Sequence, residues 1–289
     1  MPRSHPKFVL RLLERALADL PPLPEALAKV LAESRRNDVS AHSLEAIIST
    51  DQALSSKVLR VVNSAYYGLP GQVQSLGQAC VILGVSQIRN LSLSMATMGS
   101  AHISAPGARD THLRFWKHSF GAASAAQWLA RKKNLGLAEE DLAFVGGLLH
   151  DIGRLFLFAN FPEVYAEALA IAIKRELPIQ TVEMELAGMD HAGIGARMAR
   201  AWNLPDDVCN LIEFHESPFP EGMKPSLYAV HIGDCINEYV YEDDPRYVLP
   251  PCHQEAYDWF GGSEAEWAEL MSVTTEKVDA ASQSYEAAA

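Results

Sequence analysis

A histidine followed directly by an aspartate interrupts an apolar run and could bind a metal ion. His150 and Asp151 lie within the sequence GGLLHDIG, which spans Gly146–Gly153. Divalent metals are commonly bound by neutral imidazole and carboxylate groups together. Adjacent helical residues point about 100° apart, so both side chains reach one centre only where neighbouring helices enclose them. The dipeptide is common, so other polar residues must supply the remaining ligands.

Four further polar residues continue the apolar faces of predicted helices: His118, His191, His215 and Asp234. His118, for example, shares its helical face with Ala122 and Ala126. Burying an isolated imidazole or carboxylate is costly, so several such residues on inward faces favour one shared centre in which each compensates the others. The alternative is a hydrogen-bonded polar core without metal, because a single histidine on an apolar face is more often a core residue than a ligand.

The residues around His191 predict its protonation state. Asp190 precedes it and is a favourable N-cap, which places His191 in the first turn of a helix. The positive end of the helix dipole disfavours a protonated imidazole there, so we expect a neutral His191 that is competent to bind metal. His231 lies on the same helical face as Asp234 and could support a ligand through a hydrogen bond.

The composition is that of an ordinary globular protein. The chain has 289 residues, of which 48% are hydrophobic and 21% charged, and this excludes disordered and collagen-like chains. The net charge is −12, from 24 basic and 36 acidic residues, which argues against a general nucleic-acid binder because phosphate contacts require clustered Lys and Arg. No run of 18 apolar residues is present, so we predict no membrane span and a cytoplasmic location.

The cysteines lie far apart in the sequence, with no C-x-x-C pair: Cys80, Cys209, Cys235 and Cys252. This spacing predicts small core residues in a reducing compartment. It is not typical of a disulfide framework or of a cysteine zinc site.

Helical periodicity rich in Ala and Leu runs through the chain and strand signals are weak, so we predict an all-α fold. Residues 1–16 are predicted as an N-terminal helix or arm, and residues 17–100 as a helical subdomain. The Pro, Gly and Ser of Ala101–Asp110 are typical of a linker. Residues 111–241 are then predicted as a second helical bundle, and residues 242–289 as an acidic helical extension.

Several passages resemble the HDOD domain (HD-related output domain), a branch of the HD superfamily of metal-dependent phosphohydrolases. They are Leu20–Pro24, Ile47–Tyr66, Ala79–Gly84 and the histidine-bearing passages between Trp116 and Pro205. The order of polar residues is also similar to the core pattern of that superfamily: His118, His150-Asp151, Asp234. We interpret residues 17–241 as one HDOD domain.

The resemblance implies an N-terminal helical subdomain packed on an HD-like helical bundle, and a role in bacterial signal output. It implies a divalent metal (Fe, Mn, Zn, Ni or Mg) whose ligands are His118, His150, Asp151 and Asp234. His191 and His215 resemble the additional histidines of the HD-GYP branch and could hold a second metal or orient a phosphate. No Gly-Tyr-Pro signature follows His215, so hydrolysis of cyclic di-GMP is not favoured. Glu185 matches an acidic position typical of HDOD domains. We expect it to support a ligand or the fold rather than to bind the metal, and a solvated helix face is the alternative.

Three functions remain open at this point. The leading interpretation is a regulatory signal-transduction protein that acts by binding other signalling proteins, or a nucleotide or phosphate ligand, rather than by catalysis. The second is a metal-dependent phosphohydrolase of a nucleotide or other phosphate ester, in which Asp151 acts with a metal-bound water. The third is DNA binding through a helix-turn-helix at Ser75–Ser94. It is disfavoured because Arg89 is the one basic residue of that stretch, and a buried helical hairpin explains it better.

Overall fold

The computed structural model describes most of the chain, and every regular element in the described residues is a helix. The described residues are 6–20, 22–23, 25–34, 39–63, 67, 69–100, 108–216, 219–241 and 252–286. The helices are α1 (Pro6–Ala18), α2 (Glu25–Ser34), α3 (Ala41–Ile48), α4 (Gln52–Val62), α5 (Leu76–Leu83), α6 (Val85–Ser100), α7 (Ala108–Lys132), α8 (Leu137–Leu149), α9 (Ile152–Asn160), α10 (Pro162–Arg175), α11 (Ile179–Ala187), α12 (His191–Ala201), α13 (Asp206–Phe214), α14 (Ser226–Tyr241), α15 (Gln254–Phe260) and α16 (Glu264–Glu286). No strand occurs in these ranges, which confirms the predicted all-α fold class.

The chain divides into two compact units. Unit 1 comprises Met1–Pro22 and Ala105–Leu270, and unit 2 comprises Leu23–Ser104 and Met271–Ala289. Most of the predicted linker, together with residues 242–251, lies outside the described residues. The division of the chain into domains therefore stays a prediction.

In unit 2, helices α5 and α6 form the helical hairpin expected at Ser75–Ser94. Gly84 joins the two helices with a φ of +91°, which glycine adopts without steric cost. Arg89 and Asn90 of α6 are buried, so they are not displayed on a surface that could read a DNA groove. This geometry agrees with the buried-hairpin interpretation of the stretch.

Asn63 closes the loop that follows α4. Its amide nitrogen donates to the carbonyl oxygen of Val73 at 2.8 Å, and its amide oxygen accepts from the backbone N–H of Val73 at 2.7 Å. The same amide nitrogen also donates to the carbonyl oxygen of Leu59 in the last turn of α4. The side chain thus pairs with the backbone on both sides of the loop, as Asn does where a helix ends.

The centre of unit 1 is a close packing of α7, α8 and α14. A Cβ atom placed on Gly147 of α8 would lie 2.7 Å from the Cα of Ala123 in α7. One placed on Gly233 of α14 would lie 2.5 Å from the carbonyl oxygen of Ala122. Because packed atoms do not approach so closely, only glycine lets these backbones meet. The contact brings together the inward faces of the three helices, where the predicted ligands lie.

The His-Asp dipeptide lies at the break between α8 and α9. His150 is the C-cap of α8, and Asp151 is the N-cap of α9. The stretch Leu137–Asn160 is long and apolar enough to cross a membrane by length and composition, yet 72% of its apolar window is buried inside the protein. Such burial is typical of core helices in a bundle. The cytoplasmic location stays a prediction.

The N-terminal segment, predicted as a helix or an arm, forms helix α1. It packs against α11 within unit 1 and buries Val9 and Leu13. In the C-terminal part of the same unit, α15 packs against α14.

Candidate metal centre

The six residues predicted as metal ligands converge in unit 1, although they come from different helices. They are His118 in α7, His150 at the end of α8, Asp151 at the start of α9, His191 at the start of α12, His215 at the end of α13 and Asp234 in α14. Three overlapping triads of these residues each place their ligand atoms within 4.8 Å of one another. All six are buried, and His118 is the most exposed of them at 9%.

Four of the residues form the first half of the centre. The Nε2 atoms of His118 and His150 lie 2.9 Å apart. Oδ1 of Asp234 lies 3.2 Å from each of these two nitrogens. Oδ2 of Asp151 lies 3.4 Å from Nε2 of His118 and 3.7 Å from Nε2 of His150. Two imidazole nitrogens and two carboxylate oxygens therefore converge on one point, as the ligands of a single ion do.

The second half of the centre shares Asp151. Oδ1 of this residue lies 3.2 Å from Nε2 of His191 and 3.8 Å from Nε2 of His215. Oε2 of Glu216 lies 3.5 Å from Nε2 of His191, so this carboxylate also belongs to the centre. Arg154 donates a hydrogen bond to Oδ2 of Asp151 at 2.9 Å. Asp151 thus turns one oxygen toward each half and occupies the position of a bridging carboxylate.

Hydrogen bonds on the outer side of the histidines determine which ring nitrogen faces the centre. Nδ1 of His150 donates to the carbonyl oxygen of Gly147 at 2.7 Å, and Nδ1 of His215 donates to the carbonyl oxygen of Ile212 at 2.8 Å. A carbonyl oxygen only accepts, so Nδ1 carries the proton and Nε2 of the neutral ring carries the lone pair. Histidines that bind metals are oriented by bonds of this kind.

Glu183 orients His191 in the same way. Its Oε2 accepts hydrogen bonds from the backbone N–H of His191 at 2.9 Å and from Nδ1 of the same residue at 2.6 Å. Glu185, for which the sequence predicted a supporting or structural role, is exposed and pairs with Arg175. The sequence did carry a signal for Glu183, since it follows Ile179 at helical spacing on the buried face of α11.

Two of the inward-facing nitrogens, Nε2 of His191 and Nε2 of His215, have no hydrogen-bond partner although both residues are fully buried. An unsatisfied buried polar atom costs about 1–3 kcal/mol, and a metal ion would satisfy both nitrogens. Imidazoles combined with carboxylates suit Zn, Fe, Mn or Ni better than Mg, which prefers oxygen ligands. The residues therefore fit four of the five metals that the resemblance implies, and fit Mg less well.

The ionisable groups of the first half stabilise one another's charged forms. Burial lowers the pKa of His118, but hydrogen bonds to Asp151 and Asp234 outweigh it and raise this pKa to about 10. Burial raises the pKa of each aspartate, yet neighbouring side chains outweigh it and hold both pKa values well below the usual range. These neighbours are chiefly Arg154 for Asp151, and His150 and His118 for Asp234. Burial lowers the pKa of His215 to about 3, with a further contribution from His150. In the absence of metal, a proton on His118 thus offsets part of the negative charge of the two carboxylates.

The expectation of a neutral His191 is wrong for the metal-free protein. Asp190 is the N-cap of α12, as predicted, and accepts a backbone hydrogen bond at 2.8 Å. Burial lowers the pKa of His191, but three carboxylates outweigh it and raise this pKa well above 6.5. They belong to Glu183, Glu216 and Asp151. A helix end contributes at most about 2 kcal/mol, so several nearby carboxylates dominate it, and metal binding must release this proton.

Comparison with known proteins identifies a family and a distant relative. The sequence profile of the HDOD domain matches residues 20–218. An uncharacterized protein of Treponema pallidum is 28% identical over 238 residues, which cover 80% of this chain and 45% of that protein. The chain therefore spans less than half the length of this relative.

Three solved structures have a similar fold. A candidate phosphohydrolase from Shewanella amazonensis has a TM-score of 0.73 at 24% identity, with 94% of this chain and 97% of that chain covered. An HDOD domain protein of unknown function from Geobacter sulfurreducens has a TM-score of 0.75 at 20% identity, with 95% and 97% covered. A candidate signal transduction protein from Marinobacter aquaeolei has a TM-score of 0.75 at 20% identity, with 97% and 65% covered.

Proposed function

This chain belongs to the HDOD family, and from that premise we propose that it is a regulatory protein of bacterial signalling whose HD-type centre binds a divalent metal ion. In this proposal the chain acts by binding a signalling partner or a phosphate-bearing ligand. The observation that supports metal binding is the orientation of the histidines. Outer hydrogen bonds on His150, His191 and His215 leave each Nε2 turned inward toward Asp151.

Each half of the centre supplies its own set of metal ligands. The first half would hold an ion through His118, His150, Asp151 and Asp234, and the second half through His191, His215, Asp151 and Glu216. When bound, the metal would supply positive charge that can bind a phosphate oxygen or polarise a water. Arg154 holds Oδ2 of Asp151 and adds a cation beside the centre.

The burial of the centre favours regulation over turnover. Five of the six predicted ligands are at most 2% exposed, and only His118 reaches 9%. A hydrolytic metal site keeps positions open to the substrate and to water. A closed site instead suits an ion whose binding stabilises the arrangement of the helices that meet at it, because a ligand that binds only the folded state raises its stability.

Elemental analysis tests the metal directly. The full chain, purified without chelator, is compared with a His150→Ala Asp151→Ala variant. A matched variant, His42→Ala Asp206→Ala, changes an exposed residue of each type outside the centre. We expect near-stoichiometric Fe, Mn, Zn or Ni in the wild type and in the matched variant, and a clear loss in the variant of the centre. Equal metal content in all three proteins, even after soaking with these ions, would refute the proposal.

Regulation predicts that loading the centre changes stability and partner binding together. We expect added metal to raise the thermal midpoint of the wild type and of the His42→Ala Asp206→Ala protein by more than that of the His150→Ala Asp151→Ala protein. Immobilised wild-type chain should also retain a bacterial signalling protein from extract in a metal-dependent manner. If the wild type and the His150→Ala Asp151→Ala variant retained the same amount of partner, metal binding would not control partner binding, and this part of the proposal would be refuted.

A phosphohydrolase is the second candidate, and a specific observation favours it. The donor set of the first half is complete, and the Arg154 side chain, 12% exposed, is a cation that could hold a phosphate beside Asp151. A screen of nitrophenyl phosphate monoesters and diesters, and of nucleotides, tests it. We expect the metal-loaded wild type to show no more turnover than the His150→Ala Asp151→Ala variant. Metal-dependent turnover that this variant lacks would make hydrolysis the function of the centre.

A further inference from the structure

A second group of metal-binding side chains lies in unit 1, apart from the histidines and aspartates of the HD-type centre. His231 and Cys235 lie one turn apart on α14, and Cys252 precedes α15. One ligand atom from each of these three residues lies within 4.8 Å of the other two. The cysteines are far apart in the sequence, so only the packing of α15 on α14 reveals the group.

His231 is oriented as a metal ligand. Its Nδ1 donates to the backbone carbonyl oxygen of His215 at 2.6 Å, so its Nε2 carries the lone pair of the neutral ring. Nε2 lies 3.6 Å from Sγ of Cys235 and accepts the backbone N–H of His253 at 3.0 Å. This bond reaches the backbone of His215, so the expectation that His231 supports a ligand side chain stays a prediction.

The spacing of these atoms matches the ligands of a tetrahedral ion. With a Zn–S bond of about 2.3 Å and a Zn–N bond of about 2.0–2.1 Å, a sulfur and a nitrogen on one tetrahedral zinc lie about 3.6 Å apart. The observed separation between Sγ of Cys235 and Nε2 of His231 is 3.6 Å. The ring of Phe219 packs against the ring of His231, with 5.1 Å between centroids, and limits its rotation. A small ion therefore fits between these atoms with little rearrangement.

The two cysteines of the group are more exposed than the other two. Cys80 and Cys209 are buried, as the sequence predicts, whereas Cys235 is half-buried and Cys252 is exposed. Cys252 therefore lies where solvent can deliver an ion to its sulfur.

We propose that Cys235, Cys252 and His231 form a second metal site, selective for a thiophilic divalent ion of the zinc class. Two thiols and an imidazole leave a fourth tetrahedral position, which water fills because Cys252 is exposed. Binding releases any thiol protons that remain, and the His253 backbone N–H gives up its hydrogen bond to Nε2 when the metal takes that lone pair. The site shares no ligand with the HD-type centre, so neither proposal depends on the other.

Cobalt(II) is the probe that separates the two sites, because only this one offers sulfur. The full chain carrying His150→Ala and Asp151→Ala is reduced, freed of metal and titrated with Co²⁺. We expect the thiolate-to-cobalt charge-transfer band and the intense visible bands of tetrahedral cobalt, saturating at about one equivalent. Excess Zn²⁺ should abolish them. Their absence in the folded, reduced protein would overturn the proposal.

Single substitutions assign the ligands. Cys252→Ser changes an exposed residue and leaves the core intact, so we expect a folded protein that has lost the charge-transfer band. Cys235→Ser should lose it as well, whereas Cys80→Ala, a cysteine of unit 2, should keep it. Zn²⁺ should also slow alkylation of Cys252 in the wild type. Full cobalt binding by Cys252→Ser would overturn the assignment, as would a Cys235–Cys252 disulfide that forms in air while the reduced thiols bind no metal.

Discussion

Glu183→Gln is the sharpest test of how the HD-type centre is built. Oε2 of Glu183 accepts both the backbone N–H and the Nδ1–H of His191, and Glu183 is 2% exposed. The substitution keeps the size of the side chain and an acceptor oxygen but removes the negative charge. An outer partner of a metal-binding histidine typically contributes 10- to 100-fold in affinity, so we expect metal binding to weaken by about 1.4–2.7 kcal/mol.

A competing effect reduces this loss without reversing it. The charge of Glu183 helps to raise the pKa of His191, so it also stabilises the proton that a metal must displace. A divalent ion carries twice the charge of a proton and gains more from the same carboxylate. We therefore expect weaker metal binding together with fewer protons released per ion bound. Chelator-competition titrations measure the affinity, and calorimetry in buffers of different ionisation enthalpy measures the protons.

Glu185→Gln is the matched control, because this residue lies on the same helix, is exposed and pairs with Arg175. We expect it to bind metal like the wild type. If Glu183→Gln had the affinity and proton release of this control while circular dichroism showed both folded, the outer hydrogen bond would not orient His191 for metal. The assignment of the second half of the centre would then fail.

Three further perturbations address packing, charge and the loop of unit 2. Gly153→Ala would place a Cβ atom 2.0 Å from the carbonyl oxygen of His191, so we expect the free energy of unfolding in urea to fall by about 1–3 kcal/mol and metal binding to weaken. Gly71→Ala, whose Cβ atom would have no atom within 4 Å, should change neither quantity. Equal effects of the two substitutions would refute the close contact at Gly153. The pKa values of Asp151 and Asp234 are lowered in the folded state, so their stabilising contribution is complete above the unfolded pKa of about 3.9 and is lost as the pH falls through the folded pKa. Metal-free protein should therefore lose stability below about pH 4, and Asp151→Asn should lessen that loss. Asn63→Ala should lower the free energy of unfolding by about 1–2 kcal/mol, and Asn63→Asp, which keeps only the acceptor, by less; an unchanged thermal midpoint in both would contradict the loop contact.

Much of the fold could be predicted because its signals are local. The spacing of apolar residues within each helix predicts the helix and its buried face without knowledge of its neighbours. The residues His118, His150 and Asp234 were found in this way, as polar interruptions of inward faces, and the structure brings them together. The N-cap at Asp190 is equally local, since the capping side chain bonds to the backbone of the next turn.

The remaining parts of the centre depend on which helices become neighbours. Glu183 follows the apolar spacing of its own helix, but only the packing of α11 beside α12 places it on His191 rather than in a core. Glu216 follows His215 in the sequence, and its place 3.5 Å from Nε2 of His191 depends on how α12 and α13 pack. The spacing of residues along one helix does not predict these distances between helices.

For Cys252, the sequence spacing predicts an environment that the tertiary structure contradicts. Its spacing from the other cysteines predicts a core residue, yet the residue is exposed and lies beside Cys235 and His231. The chain by itself therefore determined the helices, their inward faces and the identity of most groups at the HD-type centre, because these follow from hydrogen bonding and burial within a few turns. Only the tertiary structure decided which carboxylates surround His191, and hence that it holds a proton without metal, because charge interactions depend on distances between helices that are remote in sequence.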